Sequence, residues 1–227
     1  NMSLADLKDW ATWQEIHAQP AIWRAWAGAL DVQDLKGWVA AQDVSEVWFC
    51  GAGTSAYIGD IICAGLEGQS GPALRAVATT DLVSRPKAYL AGKRPLVVSF
   101  GRSGNSTESI GTLDALDALA PDAPRLNITC NKDGALATRA SSGSQKVVLL
   151  PDACHDQGFA MTSSFSTMLL SALAVFDRSV QGAAPFRNWL MRCRIHCRVS
   201  PQTCQPCQRV LFLLALARWP MPPVRPR

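Results

Sequence analysis

The sequence predicts an α/β fold: a three-layer αβα sandwich around a five-stranded, parallel, flavodoxin-like sheet, with helices at the N-terminus. Five short runs of β-type residues recur between helical or turn-rich segments, which implies strand–helix–strand crossovers. Several of these runs are apolar throughout, as strands covered on both faces should be. Two of them end in loops rich in glycine and hydroxyl side chains, an arrangement typical of the carboxyl edge of such a sheet.

The N-terminal segment, residues 1–41, is predicted to be helical. It carries five tryptophans among charged residues. Pro20 interrupts the helical pattern, so we expect two or three helices there. Packing in a core or a subunit interface explains the tryptophans better than an aromatic ligand site.

The second predicted unit is an α/β domain over residues 42–187. Its strands are expected at residues 46–50, 74–79, 96–100, 125–130 and 146–150. Its main helices are expected at residues 56–66, 110–119 and 159–176, and residues 180–185 resemble a linker.

The net charge of +4 conceals an uneven distribution. Residues 189–227 hold seven arginines and no Asp, Glu or Lys, and +4 less +7 leaves −3 for residues 1–188. Binding to a nucleic-acid backbone needs a concentrated basic face. We therefore expect no nucleic-acid partner for the main part of the chain.

Cysteine usage and hydropathy predict a soluble, cytoplasmic protein. Cys50, Cys63, Cys130 and Cys154 are scattered, which indicates free thiols in a reducing compartment. The first ten residues lack the apolar stretch of a signal peptide. The longest purely apolar run, 210–217, is far shorter than the roughly 18 residues of a membrane span, so we expect no membrane partner.

The first glycine-rich loop, Gly51-Ala-Gly-Thr-Ser55, lies between the first strand and a helical stretch. Its glycines allow backbone amides to approach an anion, and the helix N-terminus adds partial positive charge. As a dinucleotide fingerprint the loop is weak, because position 56 holds alanine in place of a third glycine. The expected acid about 20 residues further on is also absent.

The second loop, Ser99-Phe-Gly-Arg-Ser-Gly-Asn-Ser-Thr-Glu108, follows the third strand and leads into a helix. Ser103, Ser106 and Thr107 are expected to place hydroxyls and backbone amides at that helix N-terminus, which suits a phosphate dianion. These residue types also cap helices without binding anything. Because both loops are expected at the same edge of the sheet, we favour a phosphate ligand.

Ordered motifs along the chain resemble the SIS (sugar isomerase) family. They are Thr12-Trp-Gln-Glu-Ile16, Gln19-Pro20, Gly51-Ala-Gly-Thr-Ser-Ala-Tyr-Ile-Gly-Asp60, Thr79-Thr-Asp-Leu-Val83, residues 99–106, Ile128-Thr-Cys-Asn131 and His155-Asp-Gln-Gly-Phe-Ala-Met-Thr-Ser-Ser164. Within the family they are similar to the branch that handles galactosamine 6-phosphate and tagatose 6-phosphate. The resemblance spans residues 10–187 and implies the first SIS domain of such a protein.

The resemblance implies a hexose 6-phosphate or amino-hexose 6-phosphate as ligand. Residues that match the family's phosphate-holding hydroxyls are Ser55, Ser103 and Ser106, and the cradle backbone is formed by Gly53, Gly101 and Gly104. The same pocket is expected to be lined by Thr54, Arg102, Asn105 and Asn131. His155 and Asp156, after the last strand, are the candidate catalytic residues in this domain. For Arg102 a solvated loop charge, and for His155 a structural role, stay open.

The reaction implied by the family moves a carbonyl between C1 and C2 of a hexose 6-phosphate, or releases ammonia when C2 carries an amine. It needs a base, and an acid that opens the ring. In related enzymes a Glu and a His from a second SIS domain do that work, often across a homodimer. Residues 188–227 contain no matching position. The resemblance implies no cofactor and no metal.

The last forty residues, 188–227, change composition abruptly to Arg, Cys, Gln and Pro. Codons permitted for residues 214–226, read from the third base of the Leu214 codon, give Gly-Ser-Gly-Ala-Leu-Ala-Asp-Ala-Ala-Arg-Glu-Ala. That string resembles the opening of a second SIS domain, so we interpret residues 214–226 as out of frame. Residues 209–213 would be the preceding strand, still in frame, and residues 189–208 a second misread stretch. A zinc site is the weaker alternative, and its candidate ligands are Cys193, His196, Cys197, Cys204 and Cys207.

The sequence therefore predicts one SIS domain of an aldose–ketose isomerase or amino-sugar phosphate deaminase, with little or no activity in this shortened form. One alternative is a non-catalytic phosphosugar sensor built on a single SIS domain. The other is a nucleotide-binding α/β protein, which the serine-rich second loop disfavours.

Overall fold

The computed structural model describes residues 9–178, which contain a five-stranded sheet in the order β2-β1-β3-β4-β5. Every neighbouring pair of strands is parallel. The strands are β1 (Glu46–Gly51), β2 (Ala73–Ala78), β3 (Leu96–Gly101), β4 (Arg125–Thr129) and β5 (Gln145–Leu149). The predicted fold class is confirmed, and each strand lies within one residue of its predicted bounds.

Helices cover both faces of the sheet. They are α1 (Ala11–Ala29), α2 (Val32–Ala40), α3 (Ala56–Gly65), α4 (Thr79–Ser84), α5 (Pro86–Leu90), α6 (Thr107–Leu119), α7 (Ala135–Thr138) and α8 (Ser163–Phe176). Short 3-10 turns occur at Gly53–Ser55 and Asp152–Cys154. The predicted linker at 180–185, the boundary at 187 and the whole of the segment 188–227 lie outside the described residues.

Alternation along the strands divides the core into two apolar clusters. In β1, Val47 and Phe49 belong to one cluster, whereas Trp48 and Cys50 belong to the other. The first cluster includes side chains of α1, α2, α3 and α8, and the second includes those of α4, α5 and α6. Burial of both faces explains why the strands read as continuous apolar runs.

Helix α1 continues through Pro20, so the expected interruption at this residue is wrong. A proline inside a helix costs about 3 kcal/mol, and packing against α8 offsets that cost. Trp23 and Trp26 are buried there, and their indole N–H groups donate to Ser166 Oγ (3.1 Å) and Ser171 Oγ (2.8 Å). Two helices do precede the sheet, but the break between them lies at Leu30.

The strand order places a topological switch point between β1 and β3. The chain leaves β1 toward β2 on one side and later crosses back to β3 on the other side. The connections that follow β1 and β3 therefore run in opposite directions from the carboxyl edge, and ligands of open α/β sheets bind at such a point.

The four cysteines of the described part, Cys50, Cys63, Cys130 and Cys154, are free thiols, as expected. Among residues 9–178, no helix is both long and apolar enough to cross a membrane.

Replacing Ser166 with alanine should destabilise the fold by about 1–3 kcal/mol. Ser166 Oγ accepts from Trp23 Nε1 and donates to Gln19 Oε1 (2.6 Å), so its removal leaves two buried polar groups without this partner. Urea unfolding followed by tryptophan fluorescence measures the change. The exposed Ser70→Ala is the matched control, and equal stability of the two variants would contradict the role of this contact.

Candidate functional site

The loop after β1 is a tight turn that only glycine permits at its start. A Cβ on Gly51 would lie 2.5 Å from the backbone carbonyl carbon of Ser55, and Gly53 adopts a positive φ of 54°. The turn directs the Thr54 side chain to the surface and leaves Ser55 buried. Ser55 Oγ donates to Met161 Sδ at 3.8 Å, so this hydroxyl faces the loop that follows β5.

The loop after β3 turns back on itself before α6 begins. Gly104 has a positive φ of 65° and is buried, whereas the side chain of Ser103 is exposed. Ser106 is the N-cap of α6, and its Oγ accepts from the backbone N–H of Ser109 (3.1 Å). Ser106 therefore has the capping role expected for such a residue, while its hydroxyl lies at the same helix N-terminus as the Gly104 turn.

Two asparagines fix the loop after β3 to the loop after β4. Asn131 Nδ2 donates to the carbonyl of Ser103 (2.9 Å), and Asn105 Oδ1 accepts from the backbone N–H of Ala135 (2.7 Å). The loops approach so closely that a Cβ on Gly134 would lie 2.5 Å from the Ser103 carbonyl oxygen. Both asparagines thus hold the backbone of the Ser103–Gly104 turn in place.

The predicted ligand residues all follow the carboxyl ends of strands. Gly53, Thr54 and Ser55 follow β1; Gly101, Arg102, Ser103, Gly104, Asn105 and Ser106 lie at the end of β3 or after it; and Asn131 follows β4. Gly51 pairs in register with Phe100, so the first two loops begin side by side. The N-termini of α3 and α6 consequently lie at the same edge of the sheet, where their partial positive charges favour an anion.

Arg102 reaches toward the segment that follows β5. Its Nη1 donates to the carbonyls of Asp156 (3.2 Å) and Gly158 (3.4 Å). The guanidinium thus contacts the backbone of the loop after β5, and its expected place in the ligand pocket stays a prediction. His155 lies in the same segment with an exposed side chain.

Asp156 is only 6% exposed. Its side chain caps the N-terminus of α8, although it precedes the N-cap residue, Thr162, by six positions in the chain. Its carboxylate accepts from the backbone N–H groups of Thr162 (3.0 Å), Ser163 (2.9 Å) and Ser164 (3.0 Å). It also accepts from the hydroxyls of Thr162 (2.8 Å) and Ser164. Burial alone would raise the pKa of this carboxyl, but the hydrogen bonds from Ser164 and Thr162 outweigh it and the pKa lies below its usual range. These contacts fit a positioning role for Asp156.

Two thiols lie beside the site without being activated. Burial raises the pKa of Cys130 to about 12 and raises that of Cys154 as well. Cys130 Sγ donates to the Cys154 carbonyl oxygen at 3.7 Å. A thiolate nucleophile at either position is therefore disfavoured at neutral pH. Within residues 9–178 no group of three or more His, Cys, Asp or Glu side chains is arranged to hold a metal ion.

Sequence reasoning missed Glu15 and Met161 as neighbours of the site. Glu15 Oε1 accepts from the backbone N–H groups of Gln157 (2.6 Å) and Gly158 (2.9 Å). Both residues belong to segments that carry the family resemblance, Thr12–Ile16 and His155–Ser164, which was the available signal. Helix α8 also begins at Ser163 and not at 159, because residues 157–162 form the loop that contacts α1.

Asp156→Asn should lower the free energy of unfolding by about 3 kcal/mol at pH 7, because hydrogen bonds to a buried charge are lost or weakened. The folded-state pKa is depressed, so this stabilisation is complete above the unfolded-state pKa of about 3.9. It is lost as the pH falls through the lower folded-state value. Urea unfolding at pH 7 and pH 3 should show a smaller difference between the two proteins at pH 3.

The control for this change is Asp152→Asn, an exposed carboxylate four residues earlier. It should leave stability within about 0.5 kcal/mol of wild type at both pH values. An Asp156→Asn effect that is equally large at pH 3 would show that charge does not underlie the stabilisation.

No model of a protein family matches this chain. D-galactosamine-6-phosphate deaminase AgaS of Escherichia coli O157:H7 is 41% identical over 196 residues, which cover 81% of this chain and 50% of that protein. The protein of the same name from Shewanella sp. (strain ANA-3) is 37% identical over 220 residues, covering 89% and 55%. The chain thus spans about half the length of the curated relatives it matches.

A solved structure agrees with these sequence matches. The crystal structure of tagatose-6-phosphate ketose/aldose isomerase from Escherichia coli superposes with a TM-score of 0.75 and 36% identity, covering 87% of this chain and 55% of that one. The chain therefore belongs to the SIS family, in the branch that includes D-galactosamine-6-phosphate deaminases and tagatose-6-phosphate ketose/aldose isomerases.

Proposed function

We propose that this chain binds a hexose 6-phosphate or an amino-hexose 6-phosphate, with the phosphate in the crevice between β1 and β3. One observation carries the proposal: two glycine- and hydroxyl-rich turns lie side by side at the N-termini of α3 and α6. Backbone N–H groups and helix dipoles at such a position suit a phosphate dianion. The names of the relatives supply the sugar: galactosamine 6-phosphate or tagatose 6-phosphate.

In this proposal the hydroxyls of Ser55, Ser103 and Ser106 donate to the phosphate oxygens. For Ser55 and Ser106 this donation replaces the contacts with Met161 Sδ and Ser109 Oγ. Gly53, Gly101 and Gly104 supply backbone that a ligand can approach closely. The exposed Thr54 adds a hydroxyl at the rim. Asn105 and Asn131 act mainly by holding the Ser103–Gly104 turn, as their hydrogen bonds to backbone groups indicate.

We further propose that the complete protein exchanges a carbonyl between C1 and C2 of the sugar phosphate, or releases ammonia when C2 carries an amine. The phosphate positions the substrate, and its binding energy is used at the reacting carbons. His155 is the candidate acid or base in this domain, because its imidazole is exposed in a loop at the carboxyl edge. The further Glu and His that the resemblance implies would come from a second domain.

The protein is also proposed to act in the cytoplasm as a homodimer. Trp10 is 60% exposed and Phe159 fully exposed, while Trp23 and Trp26 pack inside the domain. Exposed aromatic side chains near α1 and the loop after β5 are the kind of surface that interfaces cover.

Sedimentation equilibrium should give twice the chain mass, and Trp10→Ser should shift the equilibrium toward the monomer; a monomer at all concentrations would contradict the dimer.

Calorimetric titration with galactosamine 6-phosphate should show binding that the unphosphorylated sugar does not show. Ser103→Ala should weaken that binding roughly ten- to a hundredfold, because a hydrogen bond to a charged oxygen is lost. The matched control is Ser70→Ala. Ser70 is exposed, as Ser103 is, and lies at the opposite end of the domain.

Equal binding of phosphorylated and unphosphorylated sugars would contradict the phosphate cradle, as would equal losses in the two serine variants. Tagatose 6-phosphate in the same experiment tests the sugar. Turnover is measured separately with the protein encoded by the complete gene; binding without isomerase or deaminase activity there would indicate the sensor alternative.

A further inference from the structure

The turn formed by residues 156–158 lies between helix α1 and the loop after β3. This turn directly follows His155 in the chain, so the orientation of its backbone sets the direction in which the His155 side chain leaves the backbone. Side chains of opposite charge hold this turn, and each comes from a different element.

Glu15, in helix α1, binds the backbone N–H groups of the turn through its carboxylate. Oε1 accepts from Gln157 and Gly158 at 2.6 and 2.9 Å, and Oε2 lies 3.5 Å from the Thr162 hydroxyl. A Cβ on Gly158 would come within 2.4 Å of Thr12 Oγ1 and 2.8 Å of Glu15 Oε2. Glycine at 158 therefore allows the helix to approach the turn this closely.

Arg102, in the glycine-rich loop after β3, binds the carbonyl groups of the same turn. Its Nη1 donates to the carbonyl oxygens of Asp156 and Gly158 at 3.2 and 3.4 Å. An anion thus engages the N–H groups of the turn and a cation engages its C=O groups. The two side chains together make four hydrogen bonds to backbone groups of this short turn, from two different sides, and this geometry restricts its position.

We propose that Glu15 is a positioning residue that, together with Arg102, clamps the 156–158 turn and thereby holds the His155 loop against the sugar portion of a bound phosphosugar. The inference rests on the proposed function. Glu15 acts through the turn and does not touch the phosphate. Its Oε1 already accepts two backbone N–H groups, which distinguishes it from an acid or base that exchanges protons with the substrate.

This role predicts that the loss of Glu15 affects the affinity for a sugar phosphate and the affinity for inorganic phosphate differently. Inorganic phosphate needs only the cradle formed by the loops after β1 and β3, whereas a sugar phosphate also needs the clamped loop. Glu15→Ala should weaken the affinity for galactosamine 6-phosphate about tenfold and leave that for inorganic phosphate within about twofold. Chemical-shift titration of backbone amides measures both constants on the full 227-residue chain.

Two companion variants separate geometry from charge. Glu15→Gln keeps an oxygen acceptor for the two N–H groups and should bind galactosamine 6-phosphate within about threefold of wild type. Arg102→Ala should show the same selective loss as Glu15→Ala. Glu67→Ala, an exposed glutamate just after α3, is the matched control and should change neither constant.

Selective loss in Glu15→Ala and Arg102→Ala, with rescue in Glu15→Gln, supports the clamp. Unchanged sugar-phosphate affinity in Glu15→Ala, or equal weakening of both ligands, overturns it. A Glu15→Gln variant as weak as Glu15→Ala also overturns it, because the negative charge and not the hydrogen-bond geometry would then be required. Failure of the wild type to bind galactosamine 6-phosphate would instead overturn the proposed function, and this proposal with it.

Discussion

The parallel pairing of β1 with β3 is the constraint on which the rest of the site depends. Gly51 and Phe100 are partners in that ladder, so both strands end at the same level. Each then turns into a helix through a glycine with positive φ, Gly53 and Gly104. A shift of one residue in the pairing would displace one turn along the strand axis by about 3.3 Å, comparable with the length of the hydrogen bonds that a shared phosphate would need.

Three charged side chains around the loop after β5 are engaged with backbone groups. Asp156 accepts three N–H groups at the start of α8, and Glu15 accepts two from the neighbouring turn. Arg102 donates to carbonyls of that turn. Dipoles of the peptide groups therefore offset part of the negative charge that these two carboxylates would otherwise place beside the proposed anion site.

The local parts of this structure were readable from the sequence, and the long-range parts were not. Strand positions follow from short apolar runs, and the two loops follow from their glycines and hydroxyls. By contrast, the continuation of α1 through Pro20 depends on contacts of Trp23 and Trp26 with α8, more than 140 residues away. The direction of the Arg102 side chain depends on carbonyl groups 54 and 56 residues later in the chain. No pattern in a single sequence encodes such a partner, although the resemblance in Thr12–Ile16 and His155–Ser164 marked both sides of the Glu15 contact.

Four titratable side chains near the proposed site are poorly suited to exchange a proton with a ligand. Asp156 is held ionised by its hydrogen bonds, and burial keeps the Cys130 and Cys154 thiols protonated at neutral pH. Glu15 is occupied by two backbone N–H groups. An imidazole has two ring nitrogens, one able to donate and one able to accept a proton, and the side chain of His155 is exposed. The exposed imidazole of His155 is therefore the group beside these four that we propose as an acid or base.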